Sequence, residues 1–274
     1  MLEDHRIGDH AVLPTVCAQS WMVDAAALAL NIDARKYTVS LSGYRLFKGV
    51  IFDGTEPDAL IIDTIDANNN ALGDELSVSV KVSSIKADGK PQFHYGCDIA
   101  FTEKTVSSSD VVVPVSMKTA TNNQACYNNG TLFHNDSLQG ITAFQTSKEN
   151  AWFRCQLPES VQSKASGFDL TQASSNVFAN DLVYQAMLVW VREEIGLGSL
   201  PSTTQAWEFI QAPSLTDAFY IQLSHIAVQG NSIKSTAVML DDDGTVLARL
   251  NDCEVTASES LKDTFKRSSV AGQS

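Results

Sequence analysis

One apolar segment near the start of the chain decides the fold: Thr15–Leu30 reads TVCAQSWMVDAAALAL. The run is rich in alanine and has no glycine, so it favours a helix. Pro14 suits the first helical position, where its missing N–H costs nothing. Because the segment is apolar on nearly every side, we expect other parts of the chain to wrap around it.

Four β-type runs come after this helix and predict the wrapping layer. The alternation is strict at Leu76–Val82 (LSVSVKV), so one face of this strand is buried and the other is solvated. Asp88-Gly89 lies between two alternating runs and indicates a hairpin. The predicted strands are Tyr37–Phe52, Ala59–Ile65, Glu75–Ile85 and Gln92–Thr102.

The same order partly recurs in the second part of the chain. A polar, irregular stretch at Ser107–Asn129 is predicted to join two halves. Strand-like residues then lead through a Ser-rich loop, Ser160–Ser175, to a second apolar helix predicted at Asp181–Ile195. Gly196 and Gly198 are suitable stops for that helix.

Further strands and a hairpin complete the second half. Asp241–Gly244 is predicted to be a turn rather than a calcium loop, since the spacing and terminal Glu of such a loop are missing. The polar tail from Ser258 is expected to fray. The predicted strands are Gln205–Ala212, Ala218–Val228, Ser232–Leu240 and Thr245–Ala257. The pattern predicts an α+β protein with two similar halves, residues 1–129 and 130–274, each an antiparallel sheet around one helix.

The composition is that of an ordinary globular protein: 274 residues, 44% hydrophobic and 19% charged, with a formal net charge of −13. This acidity argues against nucleic-acid binding, which requires a basic face. No apolar run approaches the roughly 20 residues that span a bilayer, so no membrane span is expected. The start of the chain also lacks the basic and apolar regions of a secretion signal.

The five cysteines are scattered, at Cys17, Cys97, Cys126, Cys155 and Cys253. They form no CxxC pair and have no metal-ligand spacing with histidine, so no metal site is expected. Isolated cysteines in a chain of this length indicate reduced thiols and a cytoplasmic protein. Gly-rich phosphate motifs are absent, and no cofactor is expected.

Two residues stand out as a possible proton-transfer pair. His5 precedes Gly8 and the Pro14 helix start, and a neutral imidazole there is suited to remove a proton next to a bound carbonyl. The N–H groups after Pro14 would polarise that carbonyl. His10 is the competitor for this role, although loop packing or a hydrogen bond to the chain is the simpler reading of it.

Asp181 is the proposed acid of the pair. At a helix start it could simply satisfy free N–H groups, as many aspartates do. Beside a buried pocket, however, desolvation would raise its pKa and let it hold a proton for donation. Gln185 lies one turn further along on the same face and could orient the carboxyl group or a water molecule.

These residues fall into motifs that resemble a known family. His5-x-x-x-Asp9-x-x-x-x-Pro14 resembles the HxxxGxxxxP signature of polyketide-synthase dehydratase domains, and Asp181-x-x-x-Gln185 matches their DxxxQ/H signature. Gly130–Ile141 (GTLFHNDSLQGI) is similar to the family's Tyr/His-Gly-Pro-x-Phe-Gln-Gly stretch. Leu200-Pro201 and Trp207-Glu208 fall where an LPFxW-type element is expected. The residues in these motifs look most similar to those of dehydratase domains from bacterial polyunsaturated-fatty-acid synthases.

The resemblance implies a double hotdog fold and removal of water from a β-hydroxyacyl chain on an acyl carrier protein, giving a trans-2-enoyl thioester. It implies that His5 takes the α-proton, that Asp181 protonates the departing hydroxyl and that Gln185 assists. No cofactor is implied, and the partners would be the carrier protein, other synthase domains and, as an option, a second copy in a homodimer. The implied substrate-binding residues are Gly8, Pro14, Thr15, Val16, Phe133, His134, Leu138 and Pro201.

The motifs depart from the family pattern in two loops. Asp9 stands where the family has glycine, Asn135-Asp136 replaces Gly-Pro, and Leu138 replaces phenylalanine. These departures motivate an alternative, a pseudo-dehydratase that binds acyl chains or scaffolds the synthase without turnover. A thioesterase or isomerase is a third option, because hotdog folds host several acyl-thioester chemistries.

Overall fold

The computed structural model describes residues 1–54, 59–68, 75–104, 111–164 and 176–271. Thirteen strands and six α-helices form within these ranges. The strands are β1 (Arg6–Ile7), β2 (His10–Val12), β3 (Tyr37–Leu46), β4 (Ile51–Phe52), β5 (Ile61–Asn68), β6 (Glu75–Ile85), β7 (Pro91–Glu103), β8 (Ile141–Thr146), β9 (Ala151–Cys155), β10 (Gly198–Phe209), β11 (Phe219–Gln229), β12 (Ser232–Leu240) and β13 (Val246–Ser258). The helices are α1 (Thr15–Leu30), α2 (Val115–Lys118), α3 (Ala125–Asn128), α4 (Glu159–Lys164), α5 (Val177–Glu194) and α6 (Glu259–Ala271).

Ten of the strands form one antiparallel sheet that runs through both halves of the molecule. Its order is β5-β6-β7-β3-β10-β13-β12-β11-β9-β8. The pairing of β3 with β10 joins the strands of the first half to those of the second, for example Val39 with Phe209. Helix α1 packs on β5, β6 and β7, whereas α5 packs on β8 to β13. The fold is therefore a double hotdog, with one long helix against each half of a continuous sheet.

The two long helices meet inside this sheet. Helices α1 and α5 contact each other, and the Gln19 side-chain amide on α1 donates to the Tyr184 hydroxyl on α5 at 2.9 Å. This contact places the start of α1 beside the first half of α5. The division of the chain between residues 129 and 130 stays a prediction.

The predicted strand Tyr37–Phe52 is wrong in one respect, because it is two strands in two sheets. Strand β3 ends at Leu46, and β4 instead pairs with β2 in a small three-stranded sheet of order β1-β2-β4. The intervening Lys48 and Gly49 break the extended run. This small sheet carries the segment from His5 to Leu13 across the start of α1, as the Leu13 N–H to Val50 carbonyl bond of 2.9 Å indicates.

Strand β10 also differs from its prediction, since it begins at Gly198 rather than Gln205. Pro201 lies inside this strand although it has no N–H for a ladder. The register with β13 shifts between Pro201 and Thr203, and this irregularity accommodates the proline. By contrast, Ser232–Leu240 is reproduced as β12.

Helix α1 is confirmed at Thr15–Leu30, but the expectation that it is enclosed on nearly every side is wrong. Trp21 is 39% exposed and Leu28 is 82% exposed, so one side of the helix lies outside the sheet. Pro14 is also not the first helical residue: with φ −59° and ψ 136° it precedes the helix. The first helical N–H groups therefore start at Thr15.

Helix α5 begins earlier than predicted, which changes the position of Asp181. Asn176 caps the helix, and its side-chain oxygen accepts from the N–H groups of Phe178 and Ala179. Asp181 consequently lies in the second turn, and its expected place at the helix start is wrong. Because the Asn176 side chain already caps the first N–H groups of the helix, the Asp181 carboxyl group is not needed as a helix cap.

The predicted frayed tail is also wrong. Residues 259–271 form α6, and Phe265 is fully buried. The helix approaches β10 so closely that a Cβ on Gly198 would lie 2.5 Å from the Lys262 backbone nitrogen. Gly198, which was predicted to be a stop for α5, is thus the residue against which α6 packs closely.

The predicted irregular stretch at 107–129 contains two short helices in its described part, α2 and α3, which bury Met117 and Tyr127. Residues 107–110 and 165–175 of the predicted loops lie outside the described residues. None of the helices in the described ranges has the length and apolarity to cross a bilayer.

Candidate active site

A mostly apolar cavity of about 330 Å³ opens where α1, α5 and the small sheet meet. His5 and Asp181, the two predicted proton-transfer residues, both line it. So does the exposed His10, whose simpler reading was loop packing. The lining residues are His5, Ile7, His10, Val12, Leu13, Thr15, Leu46, Gly49, Ile51, Phe133, His134, Asp181, Tyr184, Gln185, Leu188, Leu200 and Pro201.

His5 is held in place by the backbone of the small sheet. Its Nδ1 lies 2.9 Å from the Val12 carbonyl oxygen, and only a protonated nitrogen can bond to a carbonyl, so Nδ1 carries the hydrogen. The lone pair is then on Nε2. Burial lowers the pKa of His5 to about 4, although the bond to Val12 partly opposes the shift. The ring is therefore neutral at pH 7 and can accept a proton.

The loop from Phe133 to Leu138 is tied to the segment around His5. His5 and His134 form an isolated antiparallel bridge, and the Asn135 N–H donates to the Asp4 carbonyl at 2.9 Å. The Ser137 hydroxyl also donates to the Asp4 carboxylate. Asn135, Asp136 and Leu138, which depart from the family motif, thus lie in the loop that brings His134 beside His5.

A cluster of aromatic rings packs against this loop. The rings of Phe133 and His134 stack with centroids 4.1 Å apart, and Phe133 also packs edge-on against His5 at 5.0 Å. Phe265 of α6 lies under Phe133 at 4.7 Å. The last helix of the chain therefore contributes to the position of the site, although it does not line the cavity.

Asp181 is buried, with 4% of its surface exposed, and burial raises its pKa to about 7. The Gln185 side-chain nitrogen donates to its Oδ2 at 2.8 Å, which partly opposes this shift. His134 Nε2 lies 3.4 Å from the same oxygen. Burial and the nearby His5 lower the pKa of His134 well below its ordinary value, so this contact joins a carboxyl group to a neutral imidazole and is not an ion pair.

The candidate base and acid thus come from distant parts of the chain and meet at one cavity. One ring nitrogen each of His5 and His134 and one oxygen of Asp181 all lie within 4.8 Å of one another. That spacing also meets the distance condition for a shared metal ion. The pKa values of His5 and Asp181 are displaced in opposite directions, so that the imidazole is neutral and the carboxyl group keeps its proton up to about pH 7. Such a pair matches the requirements of acid–base catalysis.

Of the eleven predicted site residues, seven line the cavity: His5, Thr15, Phe133, His134, Asp181, Gln185 and Pro201. Gly8, Pro14, Val16 and Leu138 are not in its lining. Gly8 is at φ +64° near Thr264, and the Leu138 carbonyl accepts from Gln185 Nε2 at 2.8 Å. The roles of all eleven in substrate binding and chemistry stay predictions.

Several lining residues were not identified from the sequence. Tyr184 and Leu188 lie three and seven positions after Asp181, so helical periodicity would have found them on the same face. Leu46 at the end of β3, Gly49 in the following connection and Ile51 of β4 reach the cavity through tertiary packing, and no local pattern signals them.

Comparisons with known proteins support the resemblance seen in the sequence. No protein-family model matches the chain. A curated relative, one of the subunits of the polyunsaturated fatty acid synthase from Thraustochytrium sp., is 25% identical over 263 residues, which are 95% of this chain. The chain spans 9% of the length of that relative.

Dehydratase domains of polyketide synthases are among the solved structures that the chain resembles. The domain from the CurF module of the curacin synthase has a TM-score of 0.72 at 14% identity, over 94% of this chain and 88% of that one. A trans-AT synthase dehydratase domain from Brevibacillus brevis has a TM-score of 0.71 at 17% identity, over 94% and 90%. The dehydratase domain of PpsC from Mycobacterium tuberculosis has a TM-score of 0.70 at 14% identity, over 94% and 88%. The double hotdog fold predicted from the resemblance is confirmed.

Proposed function

We propose that this chain is a dehydratase domain of a fatty-acid or polyketide synthase, acting on a β-hydroxyacyl thioester carried by an acyl carrier protein. The observation that carries the proposal is the meeting at one apolar cavity of His5, which burial keeps neutral, and Asp181, whose pKa burial raises to about 7. Removal of water from a β-hydroxyacyl group needs one base for a carbon-bound proton and one acid for a hydroxyl. These two groups supply both.

In the proposed reaction, His5 Nε2 takes the proton from the carbon next to the thioester carbonyl. The electron pair of that C–H bond forms the new double bond, and the C–O bond at the β-carbon breaks. Asp181 gives its proton to the departing hydroxyl, which leaves as water. The product is a trans-2-enoyl thioester, and His5 ends protonated while Asp181 ends as a carboxylate. Exchange of these protons with solvent restores the starting state.

The start of α1 supports the negative charge that develops on the thioester oxygen. Thr15 is the first helical residue and lines the cavity, and the first N–H groups of a helix have no intrahelical acceptor. Donors aimed at a developing oxyanion are worth about 10²- to 10³-fold in rate. We assign this role to the Thr15 end of α1.

The surroundings of the cavity suit an approach by an acidic, phosphate-linked carrier. A neighbouring groove shares Gly49 and Ile51 with the cavity lining, and it is also lined by Lys48, Lys86 and Asp53. Both lysines are exposed in a chain whose net charge is −13. We propose that they steer the carrier toward the cavity opening.

Replacement of both lysines tests this approach route. Lys48→Glu with Lys86→Glu should raise KM for a carrier-bound substrate about tenfold at low salt and leave KM for a small thioester mimic unchanged. Lys148→Glu, an exposed lysine in the turn between β8 and β9, is the matched control. An equal effect of both changes on the carrier-bound substrate would refute the route.

The pseudo-dehydratase alternative is not favoured. It was motivated by Asp9 and by Asn135-Asp136, yet the loop that holds the latter pair connects His134 to the His5 segment through the Asn135–Asp4 bond. The base and acid remain within 4.8 Å of each other. The altered loops are thus compatible with an assembled site.

The decisive experiment is incubation of the purified protein with a β-hydroxyacyl group on an acyl carrier protein, followed by mass spectrometry of the product. Loss of one water to give the 2-enoyl thioester is expected. A folded protein that yields no such product would defeat the dehydratase proposal. Free acid would instead identify a thioesterase, and a shifted double bond would identify an isomerase.

We also propose a cytoplasmic location, in line with the sequence pattern. All five cysteines lie within described residues and are free thiols, and four of them are buried. Unpaired thiols in this number fit a reducing compartment. A homodimer stays a prediction, and light scattering of the purified protein measures it.

A further inference from the structure

The acid Asp181 sits at the end of a buried hydrogen-bond chain that starts at the backbone. The Ile141 N–H donates to the Tyr127 hydroxyl at 2.9 Å, and that hydroxyl donates to Gln185 Oε1 at 2.7 Å. Gln185 Nε2 then donates to Asp181 Oδ2 and to the Leu138 carbonyl, each at 2.8 Å. Tyr127 is 4% exposed and does not line the cavity.

The directions of these bonds follow from the two backbone groups. A backbone N–H can only donate and a carbonyl can only accept. Since the Tyr127 oxygen accepts from Ile141, its single proton points to Gln185, whose oxygen must therefore face Tyr127. Both amide protons of Gln185 are then on the other side, directed at Leu138 and Asp181. The segment from Leu138 to Ile141 thus determines which way the amide lies.

This orientation decides where Asp181 carries its proton. Gln185 can only donate to Oδ2, so Oδ2 acts as the carbonyl-type oxygen of the protonated acid. His134 Nε2 is 3.4 Å from Oδ2, longer than an ordinary O–H···N bond, and so does not draw the proton there. Within the described residues no side chain donates to Oδ1, which leaves that oxygen for the substrate.

We propose that Tyr127 is a positioning residue: it locks the Gln185 amide so that the acid proton of Asp181 resides on Oδ1, in place for transfer to the substrate hydroxyl. The inference rests on the proposed function, because it assumes that Asp181 is the acid. Tyr127 falls in the stretch that the sequence pattern marks as irregular, and no motif includes it.

The test must account for every titratable group around the acid. Those that face Asp181 are His5 and His134 across the cavity, Cys17 on α1, Tyr127 on α3 and Tyr184 on its own helix. No lysine or arginine is among them in the described part of the chain. All of them except Tyr127 are kept when Tyr127 is replaced, and the pKa of Tyr127 itself lies well above 10. A change in the alkaline limb of the rate profile then reports the acid itself.

Tyr127→Phe leaves Gln185 Oε1 without its donor, so that only the Leu138 carbonyl still favours the present orientation and a fraction of the molecules can turn the amide oxygen toward Asp181. The charged form of Asp181 then loses a donor and the protonated form gains an acceptor, and both changes raise the pKa. We expect the alkaline limb of the kcat profile to move up by about one pH unit and kcat on the plateau to fall about tenfold. KM should stay unchanged, because Tyr127 is outside the cavity lining.

Two controls separate positioning from a general structural effect. Tyr220→Phe removes another buried tyrosine hydroxyl, one that bonds to Asp242 away from the site, and should leave kcat and its pH profile unchanged. In a Gln185→Met background, Tyr127→Phe should add no further shift, since it acts only through the amide. A wild-type profile for Tyr127→Phe, or a full effect in the Gln185→Met background, would overturn the proposal.

A second measurement needs neither activity nor a folded variant. In the wild-type protein labelled with ¹⁵N-glutamine, the Gln185 side-chain NH₂ resonances should titrate with Asp181 near pH 7, because the amide protons face that carboxyl group. Resonances that ignore this titration and show contacts to the Tyr127 ring would mean the opposite orientation and refute the inference. An inactive protein would count against the proposed function only, while the amide spectrum would still decide the role of Tyr127.

Discussion

Helices α1 and α5 occupy equivalent places in the two halves, yet they differ in what they bury. Helix α1 is mostly apolar but leaves Trp21 and Leu28 exposed. Helix α5 carries Asp181 and Gln185 and is buried without interruption from Ala179 to Val191. Helix α5, which buries more polar side chains, is thus more completely enclosed than α1.

The difference shows that hydrogen-bond partners, and not apolar content, allow α5 to be central. The Gln185 amide has all its hydrogen-bonding groups satisfied, and its partners include Asp181. On α1 the corresponding buried amide, Gln19, has an oxygen without a partner. Buried polar groups are tolerated where they are paired, and such pairing is how a functional site persists in a core.

The largest effect on activity is expected when one proposed catalytic group is removed from each half. His5→Gln and Asp181→Asn should each lower kcat about 10²- to 10⁴-fold, because each removes a proton-transfer group while nearly keeping its size. Steady-state kinetics on a β-hydroxyacyl thioester measures the effect.

The matched controls are the nearby histidine and the α1 aspartate. His10→Gln and Asp24→Asn should keep kcat within about threefold, since neither group belongs to the proposed proton-transfer pair. If His10→Gln lost activity and His5→Gln kept it, the base assignment would be exchanged.

Truncation of one leucine in each helix separates them by stability. Leu182 of α5 is 1% exposed and should cost about 2–5 kcal/mol when changed to alanine, because a cavity remains. Leu28 of α1 is 82% exposed, and Leu28→Ala should change the free energy of unfolding by less than about 0.5 kcal/mol. Urea denaturation measures both, and equal costs would show that α1 is covered on this side.

The pH dependence of stability should have opposite signs for the two site residues. The folded pKa of Asp181, about 7, lies above its ordinary 3.8, so the folded state binds this proton more tightly and stability falls as pH rises between these values. The folded pKa of His5, about 4, lies below its ordinary 6.5, so stability falls as pH decreases through this window. His134, whose folded pKa also lies well below its ordinary value, adds a second slope with the sign of His5.

Single variants should uncover these slopes. Between pH 4 and 6.5, Asp181→Asn should gain at least roughly 3 kcal/mol of stability with rising pH, since the contributions of His5 and His134 both remain. His5→Gln should show a much flatter curve over the same range, because the slopes of Asp181 and His134 oppose each other. Denaturant titrations across pH test this, and parallel curves for the two variants would contradict the pKa displacements.

The smallest expected effect compares the two buried glutamines. Gln185→Met leaves Tyr127, Asp181 and Leu138 each short of a partner and should cost about 1–3 kcal/mol. Gln19→Met removes one bond to Tyr184 but also an unpartnered oxygen, so its cost should stay below about 1 kcal/mol. Thermal and urea unfolding of the two variants should rank them in this order.

Local sequence patterns correctly indicated several elements. Helix α1 was predicted with its bounds, β12 likewise, and Asp88-Gly89 as a hairpin turn, because periodicity and turn chemistry act over a few residues. The predictions were wrong where tertiary contacts override propensity. The tail from Ser258 is mostly polar, yet Glu259–Ala271 forms α6, and Phe265 of this helix is buried against Phe133.

For the site, the sequence by itself determined which residue types were present and in which motifs, from His5 to the Asp181–Gln185 pair. Only the tertiary structure decided that His5 and Asp181 meet, that Asn176 caps α5 in place of Asp181, and that Tyr127 anchors Gln185. The physical reason is that pKa values and hydrogen-bond directions depend on burial and on partners distant in the chain. The motifs show which groups are present, whereas the packing of the two halves determines the protonation states and orientations of these groups.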